Sequence, residues 1–174
     1  RKQAASGESG SDADGGERDS ADAELDALVA ELMGRGGESA VMDNLLEHIN
    51  TRITDEGLVI ELFALEGAPL FDAGSDQPTL LMTDLTELVG SVIATAKNDV
   101  AIGGHVRSQP IVLARNPVWD ISAQRGTRTR LMLEENGVDA TRMMRVTGHA
   151  DRETIHPNPM AERNDRVEIV LLRE

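Results

Sequence analysis

Cysteine is absent from this 174-residue chain, and aromatic side chains make up only 2% of it, with a single tryptophan. Without cysteine there is no disulfide framework and no thiolate metal site, which fits the periplasm and the cytosol equally. No apolar run approaches the roughly 20 residues needed to span a bilayer, and no signal peptide is visible. The chain opens on Arg1 rather than methionine, so the expectation is a soluble part whose membrane anchor lies upstream. A basic front end is missing too. Residues 1–60 carry 14 acids against 5 bases, and residues 61–99 carry 7 against 1. That argues against a nucleic-acid partner, whose phosphates need a basic footprint.

What is present is arginine, gathered late. Residues 100–174 hold 11 bases against 10 acids within a net charge of −14. A planar guanidinium fork suits carboxylate ligands, although arginines of this kind also serve as a plain solvated surface. A hydrophobic content of 40% is enough for one globular domain with appendages.

Residues 1–20 are mostly Gly, Ser, Asp and Ala, too polar to offset the entropy of ordering, and read as a disordered acidic linker. Residues 21–53 read as two short helices. Leu25, Leu28, Val29 and Leu32 give helical spacing over Asp22 to Met33, closed by Gly34-Arg35-Gly36-Gly37. Val41, Leu45, Leu46 and Ile49 extend a second helix from Glu38 to Thr51. The globular domain is set at 54–174. Leu58 to Phe63 is a strand, and Glu66-Gly67-Ala68-Pro69 is a turn. A helix starting near Thr79 buries Leu81, Leu85, Leu88, Val92 and Ala96. Val100 to Gly104 is a second strand. Ser122 caps a helix that ends at Gly137, Met143 to Thr147 is a third strand, Asn158-Pro159 starts a short helix, and Arg166 to Leu172 closes the sheet. The alternation predicts a two-layer α/β (α+β) sandwich, partly parallel, in β-α-β-α-β order.

With Ser122 as the cap, Arg125 falls in the first helical turn, where free N–H groups and the helix dipole favour an anion. Its alternative is an internal pair with Asp120 or Glu168. Trp119 could stack on a sugar ring, but the commoner role for a lone tryptophan before a helix is a packing plug. His105, His149, Asp151 and His156 would suit zinc if they converged. They lack helical pairing, and the ordinary reading is loop histidines at the sheet edge. There is no nucleophile elbow and no phosphate loop, Gly103-Gly104 being too weak a signal for one. No catalytic residue is predicted, no metal, and no cofactor.

The strand ending in Gly104-His105, the helix led by Trp119-Asp120-Ile121-Ser122 with Arg125, and the closing Asn164-Asp165-Arg166-Val167-Glu168-Ile169 resemble the OmpA-like peptidoglycan-binding domain over Leu58 to Leu172. Trp119 ahead of Ile121-Ser122-x-x-Arg125, with Asn158-Pro159-Met160-Ala161 before the last strand, looks most like the B subunit of the flagellar motor stator, the MotB family. The resemblance implies a mixed sheet and a non-catalytic periplasmic anchor. It would be held in the inner membrane by an upstream helix, and would hold an ion-driven torque generator to the wall. Implied partners are peptidoglycan, a second copy of the chain, and the stator A subunit through that upstream segment.

In that family the residue matching Arg125 grips a carboxylate of the diaminopimelate side chain, and the strand-closing Gly-x is followed by Thr-Asp. Here the segment reads Gly104-His105-Val106-Arg107, Val118 stands where Asn is common, and Asp165 replaces an arginine. The residues expected around the ligand are Arg125, Arg107, His105, Trp119, Ser122, Asp165 and Arg166. Arg107 and Asp165 could pair with inverted polarity, or both could point into solvent. Rival readings are a general OmpA-like wall tether and a metal-dependent wall hydrolase using His149, Asp151 and His156.

Overall fold

The computed structural model describes residues 12–110 and 116–174. Its centre is a five-stranded mixed sheet in the order β1-β2-β5-β3-β4, built from β1 (Ile49–Ile53), β2 (Gly57–Phe63), β3 (Val100–His105), β4 (Met143–Gly148) and β5 (Arg166–Leu172). The helices are α1 (Asp12–Met33), α2 (Ala40–Leu46), α3 (Leu80–Ile93) and α4 (Val118–Glu135). β3 and β4 are parallel and joined through α4, the long helical crossover that parallel neighbours need. β5 lies antiparallel between β2 and β3.

One face of the sheet carries the core. Leu58, Ile60 and Leu62 of β2, Ile102 of β3, and Val167, Ile169 and Leu171 of β5 pack beneath Leu85, Val89 and Ile93 of α3 and Leu133 of α4. Alternation along each strand sends Glu61, His105 and Glu168 to the other face, where Val59, Ala101 and Val170 form only a small apolar patch. Thr79 caps α3, its hydroxyl accepting from the Met82 amide at 3.3 Å. Gly137 follows α4 with φ +99°, the left-handed residue that ends a helix.

Four expectations need correction. Ile49 to Ile53 is not the tail of a helix but β1, paired antiparallel along the edge of β2. α1 starts at Asp12, so the part of the expected linker from Asp12 to Ser20 is helical; residues 1–11 lie outside the described residues. Leu25 and Leu32 of α1 are buried in the same core as α3, so packing within the chain supports this helix. α3 stops at Ile93, short of Ala96. Asn158-Pro159 starts no helix; a single 3₁₀ turn follows at Glu162–Asn164. There the buried Asn164 ties down the loop, its carbonyl oxygen accepting from the Ile155 and His156 amides at 2.8 and 2.9 Å.

Candidate ligand-binding cleft

A cleft of ≈ 430 Å³ opens where β2 and β3 end and β5 begins. Ala64, Phe71, Val106, Val118 and Ile121 supply its apolar wall; Arg107, Gln109, Arg125, Glu162 and Asp165 supply its polar groups. Antiparallel pairing of β3 with β5 sets His105 opposite Arg166, so the residues just beyond, in 106–107 and at 165, share one rim.

Asp165 is the hub. Its Oδ1 accepts from the Arg107 amide at 2.7 Å, which fixes the carboxylate. The Arg107 side chain stands 3.8 Å from Oδ2, and Arg125 Nη1 stands 3.7 Å from Oδ1. Of the two anticipated arrangements, the structure therefore shows the inverted pair. Arg107 also lies 3.9 Å from Glu162, and its side chain is 38% exposed. A ligand can reach it.

Arg125 behaves differently from the expectation. α4 begins at Val118 rather than after Ser122, which puts Arg125 in the third turn, away from the free N–H groups of the helix start. It is 7% exposed. Its Nε donates to the Ser75 carbonyl at 2.9 Å, Nη2 reaches the Asp72 carbonyl at 3.4 Å, and the guanidinium lies 5.0 Å from the centre of the Phe71 ring. Burial holds this arginine below its ordinary range, partly offset by Asp165. The anticipated partners Asp120 and Glu168 are replaced by Asp165 and the loop carbonyls. Arg125 is thus the floor of the cleft and the clamp on the loop at 72–75. Arg128, paired to Asp76 at 3.2 Å, holds the same loop.

Ser122 is buried inside α4. Its hydroxyl donates to the Trp119 carbonyl at 3.0 Å and accepts from the Ala150 amide at 3.0 Å. Trp119 is no packing plug: it is 53% exposed, with Arg152 5.7 Å from its ring centre. Neither lines the cleft. His105 and Arg166 lie behind it, both buried, on the far side of Arg125. The structure thus brings Arg107, Arg125 and Asp165 together in the cleft and leaves His105, Trp119, Ser122 and Arg166 outside its lining. Phe71, Gln109 and Glu162 were missed by sequence reasoning. Glu162 had one faint signal, a carboxylate three residues ahead of Asp165 on a tight turn.

No protein-family model matches the chain. Motility protein B of Escherichia coli K12 is 27% identical over 108 residues, covering 61% of this chain and 35% of that protein. The chain therefore matches only about a third of that relative's length. A putative MotB-like protein from Desulfovibrio vulgaris superposes with a TM-score of 0.70 at 20% identity, covering 90% of this chain and 98% of that one. The periplasmic domain of Helicobacter pylori MotB gives 0.61 at 20% identity, over 72% and 82%. A cell wall anchor of the type VI secretion system from Pseudomonas aeruginosa gives 0.65 at 23% identity, over 83% and 96%. The sequence likeness to Motility protein B, on a fold shared with these structures, supports a MotB-family protein with an OmpA-like domain.

Proposed function

We propose that this chain is a periplasmic, non-catalytic anchor that binds peptidoglycan and holds a MotB-type stator to the wall. The observation that carries the reading is the cleft itself, where Arg107, Arg125 and Asp165 converge at the ends of β3 and β5. The arrangement suits a zwitterionic group such as the end of a diaminopimelate side chain. The ligand carboxylate meets the exposed Arg107 above the buried charge of Arg125, while Asp165 and Glu162 face its ammonium. The acid of the family pattern has moved from the end of β3 to the start of β5, and the base has moved the other way. The polarity of the rim is inverted, yet both charges remain. The A subunit, an upstream membrane segment and a second copy of the chain complete this proposal.

Purified chain should sediment with isolated peptidoglycan, and Arg107→Ala should weaken retention about tenfold or more. A charge-assisted hydrogen bond contributes about 1.5–3 kcal/mol, and the half-exposed side chain can be removed without opening the core. Unchanged retention by folded Arg107→Ala protein would remove the cleft as the wall contact. Sedimentation equilibrium across the micromolar range tests the second copy; a strictly monomeric chain would discard the homodimer.

A further inference from the structure

On the sheet face turned away from α3 and α4, a second group of side chains converges that the anchoring role does not use. Its origin is register. β3 and β4 run parallel with Gly104 beside Gly148, so the next residues, His105 and His149, emerge as neighbours. Their rings stack with centres 4.4 Å apart and planes 4° apart. A side chain at Gly103 would meet both Nε2 atoms: a Cβ there would stand 3.1 Å from His149 and 3.6 Å from His105. The two donor edges therefore face one spot that glycine leaves open.

Two carboxylates stand beside the ring nitrogens. Glu153 Oε1 is 3.6 Å from His149 Nδ1, and Glu168 Oε2 is 3.9 Å from His105 Nε2. The arginines nearby are occupied on the other Glu168 oxygen: Arg52 and Arg166 stand 3.2 and 3.6 Å from Oε1. His105 itself is 2% exposed, and neither ring nitrogen has a hydrogen-bond partner. Buried polar atoms are almost always paired, and leaving one unpaired costs about 1–3 kcal/mol. Packing alone would be served as well by a phenylalanine. Of the candidate donors considered from sequence, Asp151 and His156 take no part: Asp151 accepts from the Ser108 hydroxyl, and His156 Nδ1 accepts from the Asn158 amide. Glu153 stands in their place.

We propose that His105, His149 and Glu153 form a binding site for a divalent transition-metal cation of the zinc type, with Glu168 Oε2 available as a fourth donor. One ligand atom from each of the three lies within 4.8 Å of the others. Two imidazole nitrogens and carboxylate oxygen suit zinc, cobalt or nickel rather than calcium or magnesium, which take oxygen. Donors of a tetrahedral zinc stand about 3.3 Å apart, given bond lengths near 2.0–2.1 Å, so the site must tighten and the stacked rings must part. His149 and Glu153, with side chains 31% and 61% exposed, are free to make that movement. The buried His105 supplies the fixed donor.

The metal would clip the segment after β4 to the open face of the sheet. That segment is already shaped for the purpose. Ala150 holds φ +54°, uncommon for a residue with a side chain. Its carbonyl accepts from the Val106 amide at 2.9 Å, and the Glu153 carbonyl accepts from Arg166 at 2.7 Å.

The test uses the full chain, free of any histidine tag and stripped with chelator, titrated with zinc by calorimetry and with cobalt(II) by visible absorption. One equivalent should bind, with the ligand-field bands of nitrogen-and-oxygen coordination and a rise of several degrees in Tm. His149→Ala and Glu153→Gln, both at partly exposed positions that spare the core, should each weaken binding about tenfold or more, as lost metal contacts do. His156→Ala should bind as the parent does. No saturable 1:1 binding, or parent-like affinity retained in His149→Ala and Glu153→Gln, would overturn the site and mark any bound metal as adventitious. Wall retention is read separately from metal affinity, so either proposal can fail alone.

Discussion

Arg125 serves the fold before it serves any ligand, because three of its contacts are made inside the protein. Replacing it by alanine removes a guanidinium from beside Asp165, which keeps only its contacts with Arg107, and frees two loop carbonyls. Removing one partner from a largely buried ion pair is strongly destabilising. Arg125→Ala should therefore lose about 2–4 kcal/mol in urea denaturation. Arg125→Lys should recover only part of it, since one ammonium cannot reproduce the fork. An alanine variant as stable as the parent would show that the clamp is idle. Sequence singled out this residue but misread its setting, because a serine at a helix cap and a serine inside a helix look alike in one dimension. What decides is tertiary. A Cβ on Gly104 would lie 2.1 Å from the Ser122 carbonyl oxygen, and one on Gly148 would lie 2.7 Å from the Ala123 amide. Two strands thus press backbone to backbone against α4 around Ser122, and the helix must already be running there. The usable start signal was Asn116-Pro117, directly ahead of Val118. Gly148→Ala should push α4 off the sheet and cost about 1–3 kcal/mol, as overpacking does. Thermal unfolding at or above the parent Tm would contradict so close an approach.

Elements were legible where one period dominated. α3, with its cap at Thr79, and the strands β2, β3, β4 and β5 all sit where alternation and turn residues place them. β1 was hidden by overlap. Val41, Leu45, Leu46 and Ile49 continue a helical stripe through the end of α2, while Ile49, Thr51 and Ile53 alternate over the same stretch. A sheet edge to pair with decides between the two, and that edge belongs to β2, eight residues on. The start of α1 was missed for another reason. Gly15-Gly16 argues locally against helix, and the burial of Leu25 and Leu32 against the core is visible only in three dimensions. The consequence is testable by truncation. A chain beginning at Thr54 loses β1 and bares the edge of β2, whose residues are all buried in the intact sheet. It should be less stable than a chain beginning at Ser39 and should aggregate, as an unprotected apolar edge does. Equal solubility and equal urea midpoints would show that β1 protects nothing.

At the scale of the whole molecule, the cleft and the α1 contact lie at opposite ends of the sheet. Asp165 and Arg107 stand where β5 starts, whereas Arg173, just past the end of β5, pairs with Asp22 of α1. Anything that holds the cleft while pulling on α1 loads the molecule along its strands. Antiparallel ladder bonds lie perpendicular to the strands, so such a load shears the whole β2–β5 ladder from Gly57 to Phe63 at once. A pull across the sheet instead peels an edge a few bonds at a time, and β4 offers such an edge, with a register irregularity beside Val100. An anchor under force needs the first geometry. Because the chain has no cysteine, attachment points can be introduced singly. Handles at Glu66→Cys and Glu174→Cys load the β2–β5 ladder in shear. Handles at Asn50→Cys and Met144→Cys, on exposed positions of the two edge strands, pull across the sheet. Single-molecule stretching should require a clearly larger force for the first pair than for the second. Equal rupture forces would mean that the sheet is not oriented to bear load between its two ends, and the mechanical side of the anchoring proposal would lose its structural basis.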